Sequence, residues 1–237
     1  MKKIDLLSIL LSLVLITVST SSPAFAWIDN THLAIVKVTG YEKWYNAAGA
    51  DIAKIKAGNI EKFNHHFNNN SNAEITPALV LAQVSRYNDA NEPEGHLYGA
   101  ILAALKEYNS STIGKKYAEY HIAYCAHYIG DLSNPLHNVS YDELTKSSHL
   151  TNDSIIDAEV LDNLPRIKEK MYPVILRPDN FEADLAGEIA RIASISRQLG
   201  LKMKSKNRDM TKEEAYIQIG HSASLLQAVL KHLGKIK

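Results

Sequence analysis

The chain has 237 residues, of which 46% are hydrophobic, and its 26 basic residues balance its 26 acidic residues. That balance argues against a protein that binds a polyanion through a strong net positive charge. Its single cysteine, Cys125, excludes an intramolecular disulfide and is predicted to be a buried structural thiol. We therefore expect stability to come from packing and not from a disulfide.

Residues 1–26 have the pattern of an export signal. Lys2 and Lys3 supply the positive start, Leu6 to Val18 the apolar stretch, and Ala24-Phe25-Ala26 the small-residue cleavage site. Cleavage after Ala26 predicts a secreted or periplasmic protein. Residues 27–237 are then expected to form one domain, since that length suits a single core. No other stretch has the pattern of a transmembrane segment.

Helical periodicity dominates the remaining sequence, and strand alternation is scarce. The predicted helices, in chain order, cover residues 31 to about 44, 77–87, 96–108, 115–129, 154–170, 181–199 and 211–233. Thr211-x-x-Glu214 has the pattern of a capping box for the last helix. A basic run after residue 200 is interpreted as a solvated inter-helix loop; it contains Lys202, Lys204, Lys206 and Arg208. We predict an all-α, single-domain helical bundle.

Five potential metal ligands occur within 27 residues, in the order His127-x3-Asp131-x5-His137-x11-His149-x3-Asp153. Residues four apart lie on one helix face, so each His-x3-Asp pair can hold one cation. Imidazole and carboxylate suit zinc, with manganese or iron as alternatives. One such pair alone would more often be a surface hydrogen bond, but two pairs around a third histidine favour a metal site. Pro135 should end the first helix and turn His137 back towards it.

The predicted mature terminus and the central motifs resemble those of one superfamily. Trp27-x4-His32, Tyr128-Ile129-Gly130-Asp131 and Pro135-Leu136-His137 are similar to motifs of the zinc-dependent phospholipases C and the single-strand-specific nucleases. In that superfamily the terminal tryptophan binds zinc through its amino nitrogen and carbonyl oxygen, so export would create a ligand. The resemblance implies a trinuclear zinc site with nine ligands: Trp27, His32, Asp51, His66, His127, Asp131, His137, His149 and Asp153.

The first carboxylate and histidine of this set have alternatives. Asp51 with His66 is favoured, because an Asp after small residues and a His-Phe pair about fifteen residues later resemble the family pattern. Asp89 with His96 is a competing pair at a shorter spacing, and His65 is a third possibility. These assignments stay open at the level of sequence.

By analogy, one zinc is bound by Asp51, His66, His127 and Asp131, and a second by His137, His149 and Asp153. The third is bound by Trp27, His32 and Asp131, which makes Asp131 a bridge. Clustered zinc ions lower the pKa of a bound water to near neutrality and supply hydroxide for attack on phosphorus. Asp51 is expected to orient that water and so to be catalytic as well as a ligand.

The resemblance implies a hydrolase of phosphodiester bonds. The short chain without disulfides resembles the bacterial phospholipase branch of that superfamily. This resemblance implies a phospholipase C that cleaves phospholipid at a membrane surface into diacylglycerol and a phosphorylated headgroup. Asn30 and Ile52 replace the acidic and aromatic residues of the family's choline pocket, which argues against a choline preference. Phe67, as a base-stacking aromatic with Asn69 beside it, instead suits a nuclease or nucleotidase.

A hypothesis from another class is an exported zinc-binding protein without catalytic activity. No protein partner is implied, and we expect a monomer.

Overall fold

The computed structural model describes residues 27–110 and 115–237, so the predicted export signal lies outside the described residues. The described residues form helices and no strand, which confirms the all-α prediction. The α-helices are α1 Asp29–Val38, α2 Gly49–Ala57, α3 Asn59–Lys62, α4 Pro77–Gln83, α5 Leu97–Ser110, α6 Lys115–Leu132, α7 Glu143–Asp153, α8 Leu164–Lys170, α9 Phe181–Lys206 and α10 Lys212–His232. Five short 3-10 turns occur at Trp44–Asn46, Val84–Arg86, Pro135–Asn138, Val160–Asp162 and Pro178–Asn180.

Helix α6 lies at the centre and packs along α5, with α10, α1 and α2 also against it. Its residues Ile122, Cys125, Ala126 and Ile129 are buried, and their three- and four-residue spacing makes them one stripe. Burying an isoleucine side chain contributes about 1.5–3 kcal/mol, so this stripe anchors the helix firmly. The ligand candidates on α6 are therefore held by a packed scaffold.

Local signals at the ends of two helices are confirmed. The Thr211 side chain accepts a hydrogen bond from the Glu214 amide, and the Glu214 side chain caps the Thr211 amide in return. Helix α6 ends at Leu132, and Pro135 opens a 3-10 turn whose start is capped by the Asn134 side chain. Gly200 of α9 lets this turn pack closely, since a Cβ there would lie 2.6 Å from the Pro135 carbonyl oxygen.

Several predicted boundaries are corrected. Helix α1 ends at Val38 instead of near residue 44, and residues 154–163 form turns, so α8 is helical only from Leu164. Helix α9 continues to Lys206, which puts most of the basic run on a helix instead of in a loop. The next residue, Asn207, caps this helix, and its left-handed φ of 44° ends the helical backbone.

Three helices were not predicted: α2, α3 and α7. Helix α7 buries Thr145, His149, Asn152 and Asp153, which are polar, so it shows little apolar periodicity. Two of these three helices, α2 and α7, carry ligand candidates. None of the described helices is long and apolar enough to cross a membrane.

Candidate metal centre

Side chains from separate segments of the chain converge below the surface. His127 and Asp131 come from α6, His32 from α1 and Asp51 from α2. The loop after α3 contributes His65, the 3-10 turn contributes His137, and α7 contributes His149 and Asp153. All of these residues are buried. They form three groups, and within each group the potential ligand atoms lie within 4.8 Å of one another: His32, His127 and Asp131; Asp51, His65 and His127; and His137, His149 and Asp153.

Asp131 lies at the centre of this arrangement. Its Oδ2 is 2.9 Å from His65 Nδ1 and 3.5 Å from His127 Nε2. Its Oδ1 is 3.4 Å from His32 Nε2 and 3.8 Å from His137 Nδ1. A single fully buried carboxylate thus faces four histidines, and its two oxygens face different members of the set.

Asp51 completes one group from the side of α2. Its Oδ2 is 3.7 Å from His127 Nε2, and its Oδ1 is 3.9 Å from His65 Nδ1. The Lys54 ammonium lies 2.8 Å from Asp51 Oδ1, one helical turn along the same face. Asp51 therefore contacts both the buried histidines and the Lys54 ammonium.

His137, His149 and Asp153 form a separate group. His149 Nδ1 is 3.7 Å from Asp153 Oδ1, as expected for residues four apart on α7. The rings of His137 and His149 lie 5.1 Å apart. The predicted turn of the chain at Pro135 is what brings His137 to α7.

Hydrogen bonds at the outer edges of the rings fix several ligand candidates. His127 Nδ1 donates to the Ala47 carbonyl at 2.7 Å, which leaves Nε2 facing Asp51 and Asp131. His137 Nδ1 donates to the His65 carbonyl at 2.7 Å. The Asn134 amide donates to Asp153 Oδ1 at 2.8 Å. Outer contacts of this kind set the tautomer and orientation of metal ligands.

Burial and mutual contact set the charge state of the group. Burial lowers the pKa of His127 to about 3 and that of His149 to about 4, so both rings are neutral at pH 7. Burial disfavours ionisation of Asp131 as well, yet its contacts with His127 and the other histidines hold its pKa well below the usual range. Neutral imidazoles around an ionised carboxylate are the donor set of a divalent cation.

Two members depart from this pattern. Burial alone would lower the pKa of His65. The carboxylates of Asp131 and Glu61 outweigh burial and raise this pKa, because they stabilise the protonated ring. Burial raises the pKa of Asp153 well above its usual range. A cation bound at these positions would replace the proton in each case.

Several buried polar atoms of the group have no hydrogen-bond partner among the described residues: His32 Nε2, His127 Nε2, Asp131 Oδ1, His149 Nδ1 and Asp153 Oδ2. Leaving such an atom unsatisfied costs about 1–3 kcal/mol each. All five belong to ligand candidates of two separate groups, and a cation bound in each group would satisfy them. The residues therefore fit a metal centre.

The structure places His65, not His66, beside Asp51 and Asp131. His66 instead lies edge-on to Phe63 and lines the same cavity as His65, His137 and His149. The favoured pairing of Asp51 with His66 is thus revised to Asp51 with His65, the third possibility.

The competing pair of Asp89 and His96 does not converge with the other candidates. Asp89 is exposed and accepts a hydrogen bond from the Asn91 amide. His96 is buried but bonds through Nε2 to the Asn64 side chain at 2.7 Å. Both residues have structural partners of their own.

Trp27 is fully buried, and the next residue's amide bonds weakly to the Asp153 carbonyl. The main chain at the predicted cleavage point therefore runs beside α7. Phe67 packs on Tyr98 in the core instead of facing a cavity, so its predicted role in base stacking is not supported by its position. Asn69 is also buried, and its amide closes a loop with Ala73.

A cavity of about 360 Å³ opens onto the centre. Its lining includes four histidines and four other side chains that bear on the chemistry: His65, His66, His137, His149, Lys54, Lys62, Phe63 and Tyr141. Sequence reasoning missed the two lysines and Phe63. The spacing of three residues between Asp51 and Lys54 was the available signal, because it places both on one helix face.

The chain matches no protein-family model, no curated protein and no solved structure with which it was compared.

Proposed function

We propose that the protein is an exported, zinc-dependent hydrolase of phosphodiester bonds, of the phospholipase C type. The observation that carries this proposal is the buried carboxylate of Asp131 facing four histidines beneath an open cavity. A purely structural metal site would be closed, whereas catalytic sites keep access for substrate. The sequence resemblance described above supports the same reaction class.

Three zinc ions are the expected complement. One is held by Asp51, His65, His127 and Asp131, the second by His137, His149 and Asp153, and the third by Trp27, His32 and Asp131. The three groups of potential ligands support this division. His127 lies in two of those groups, stacked on His32 with the ring centres 3.6 Å apart.

When bound, such ions activate a water nucleophile and neutralise the oxygens of the phosphoryl group. Asp51 would orient the attacking water, because it contacts His127 and pairs with Lys54, which lines the cavity. Lys54 holds Asp51 through their ion pair and adds positive charge where a phosphate would lie. Phe63 and Tyr141 offer apolar surface to the rest of the substrate.

A single-strand nuclease or nucleotidase is the second candidate. Lys54 and Lys62 on the cavity walls favour it, because successive phosphates of a nucleic acid need cations at such positions. With Phe67 in the core, Phe63 would be the stacking residue. The two candidates share the metal centre and differ only in what occupies the cavity.

The test is expression with export, mass spectrometry of the mature protein and metal analysis, followed by assay of several phospholipids and of single-stranded DNA and RNA. We expect a chain that begins at Trp27, contains zinc and releases diacylglycerol from phospholipid. His127→Ala should abolish turnover, while the matched control His232→Ala, on an exposed histidine of α10, should not.

Outcomes against the proposal are distinct from one another. Zinc at high stoichiometry without turnover on any phosphodiester would assign the chain to a non-catalytic zinc-binding role. Turnover of nucleic acid alone would favour the second candidate. Full activity of a protein carrying one extra residue before Trp27 would refute a ligand role for the terminal amine.

A further inference from the structure

Helices α2 and α3 present an apolar outer face beside the cavity. Ile52, Ile55 and Ile60 are 63%, 71% and 48% exposed. Ile52 and Ile55 are three residues apart and so share one side of α2, while Asp51 and Lys54 turn towards the metal centre. Single exposed isoleucines are common on protein surfaces, but three strongly exposed ones within nine residues of one segment need an explanation.

The charges on this face have one sign. Lys56 and Lys62 are exposed, whereas Asp51 and Glu61, the carboxylates between Gly49 and Lys62, are both buried. Asp51 contacts buried histidines, and Glu61 accepts a hydrogen bond from Tyr128. The face therefore combines isoleucine side chains with lysines and exposes no carboxylate of its own.

This combination matches the chemistry of an anionic bilayer surface. Apolar side chains enter the boundary between headgroups and acyl chains, and each nearby lysine adds electrostatic attraction to anionic lipid. A protein partner would require shape complementarity, which three isoleucines on two short helices provide poorly. The long aliphatic stems of lysines can also extend along the boundary.

The face is continuous with the cavity. Lys54, Asn59, Lys62 and Phe63 belong to the same segment and line the opening above the ligand candidates. Tyr141, which also lines the opening, is 45% exposed. A bilayer in contact with α2 and α3 would therefore lie at the entrance through which a lipid headgroup must pass.

We propose that the outer face of α2 and α3 is a docking surface for anionic membranes. The proposal deepens the proposed phospholipase C function, on which its biological meaning rests, and membrane binding is measured separately from hydrolysis. The occupant is the surface of a lipid bilayer that contains anionic phospholipid, and the contact is peripheral.

The experiment is co-sedimentation of the mature zinc-loaded protein with sucrose-loaded vesicles. Mixed phosphatidylglycerol–phosphatidylcholine vesicles are compared with vesicles of phosphatidylcholine alone, and lipid integrity is checked by chromatography after each run. The double variant Ile55→Ser with Ile60→Ser is matched by Ile175→Ser, because Ile175 is 80% exposed and lies outside this face. Lys56→Gln is matched by Lys168→Gln, an exposed lysine of α8.

We expect binding to mixed vesicles that weakens with added salt, as screening requires. The isoleucine double variant should bind about tenfold more weakly. Lys56→Gln should bind about fivefold more weakly. Both control variants should bind as the parent does, and thermal unfolding should show that all variants are folded.

Equal binding by the parent and the isoleucine double variant would overturn the proposal. So would a salt-insensitive interaction, or a dimer that the double variant abolishes in the absence of vesicle binding, since that result would assign the face to a second copy. Binding without hydrolysis of any lipid would uphold the docking surface and reject the phospholipase function.

Discussion

The carboxylate of Glu61 lies 3.3 Å from Nε2 of His65, while Nδ1 of the same ring lies 2.9 Å from Asp131. Glu61 also accepts a hydrogen bond from the Tyr128 hydroxyl at 2.5 Å. The ring is thus held between an outer carboxylate and the central one. An outer carboxylate of this kind fixes the orientation of a histidine ligand and increases its basicity.

We predict that Glu61→Ala weakens metal binding at the centre about 10–100-fold, because loss of an outer partner has that effect on metal sites. Glu61→Gln should lose less, since its amide oxygen can take the place of the carboxylate oxygen beside Nε2. Competition against a chromophoric chelator measures both affinities. A folded Glu61→Ala variant with the parent's affinity would remove Glu61 from any positioning role.

Replacing Asp131 tests whether one carboxylate serves more than one ion. Asp131→Asn keeps the shape of the side chain and removes its charge, so we expect at least two of the proposed three ions to be lost. The measurement is the number of zinc ions per chain, determined by elemental mass spectrometry. Asp162→Asn, at an exposed carboxylate, is the control and should keep the full complement. Loss of one ion only would show that Asp131 does not bridge.

The helices with apolar stripes, and the carboxyl-terminal half of the centre, could be predicted from sequence. His127, Asp131, His149 and Asp153 follow helical spacing, and the Pro135 turn brings His137 to them. Local spacing and this turn were therefore sufficient to predict that these five residues lie near one another. Helix α7 was missed as an element because its buried side is polar, although its ligand spacing was recognised.

The choice between His65 and His66 could not be made in this way. Both follow α3 in a loop with no fixed periodicity, so a shift of one residue reverses which ring faces inward. The decision depends on contacts from distant parts of the chain. Glu61 and Asp131 contact the ring of His65, and the backbone of Gly95 packs against His66.

Gly130 provides a test of how tightly His32 is packed. A Cβ at Gly130 would lie 2.5 Å from His32 Nδ1, which is too close for any arrangement of the present ring. Gly130→Ala should therefore displace His32 and destabilise the protein by about 1–3 kcal/mol, as overpacking of a core does. Urea unfolding measures the change, and metal analysis should show reduced zinc.

Gly187→Ala is the matched control for that substitution. Gly187 lies within α9, and a Cβ there would meet nothing within 4 Å. Because alanine is the better helix former, this variant should be stabilised by up to about 1 kcal/mol. If Gly130→Ala also raised the free energy of unfolding, the His32 ring would be free to shift and would not be held in place by its packing.

Glu119 of α6 supports a prediction about pH. It accepts a hydrogen bond from the Tyr41 hydroxyl at 2.9 Å and pairs with Lys43 at 3.0 Å and with Lys235. Partial burial opposes ionisation, but hydrogen bonds from Lys235, Lys43 and Tyr41 lower the pKa of Glu119 to about 2. Glu119 lies on α6 about two helical turns before His127 and links α6 to the carboxyl-terminal end of the chain.

Because the folded pKa lies below the ordinary glutamate value of 4.5, ionised Glu119 stabilises the fold above that pH. The contribution is lost as the pH falls towards 2. Glu119→Gln should therefore lower the free energy of unfolding by about 1 kcal/mol at pH 7, since partly exposed ion pairs are weak. The difference between parent and variant should shrink steadily below pH 4.5 in urea titrations. An unchanged difference at pH 3 and below would show that the cluster acts through packing and not through charge.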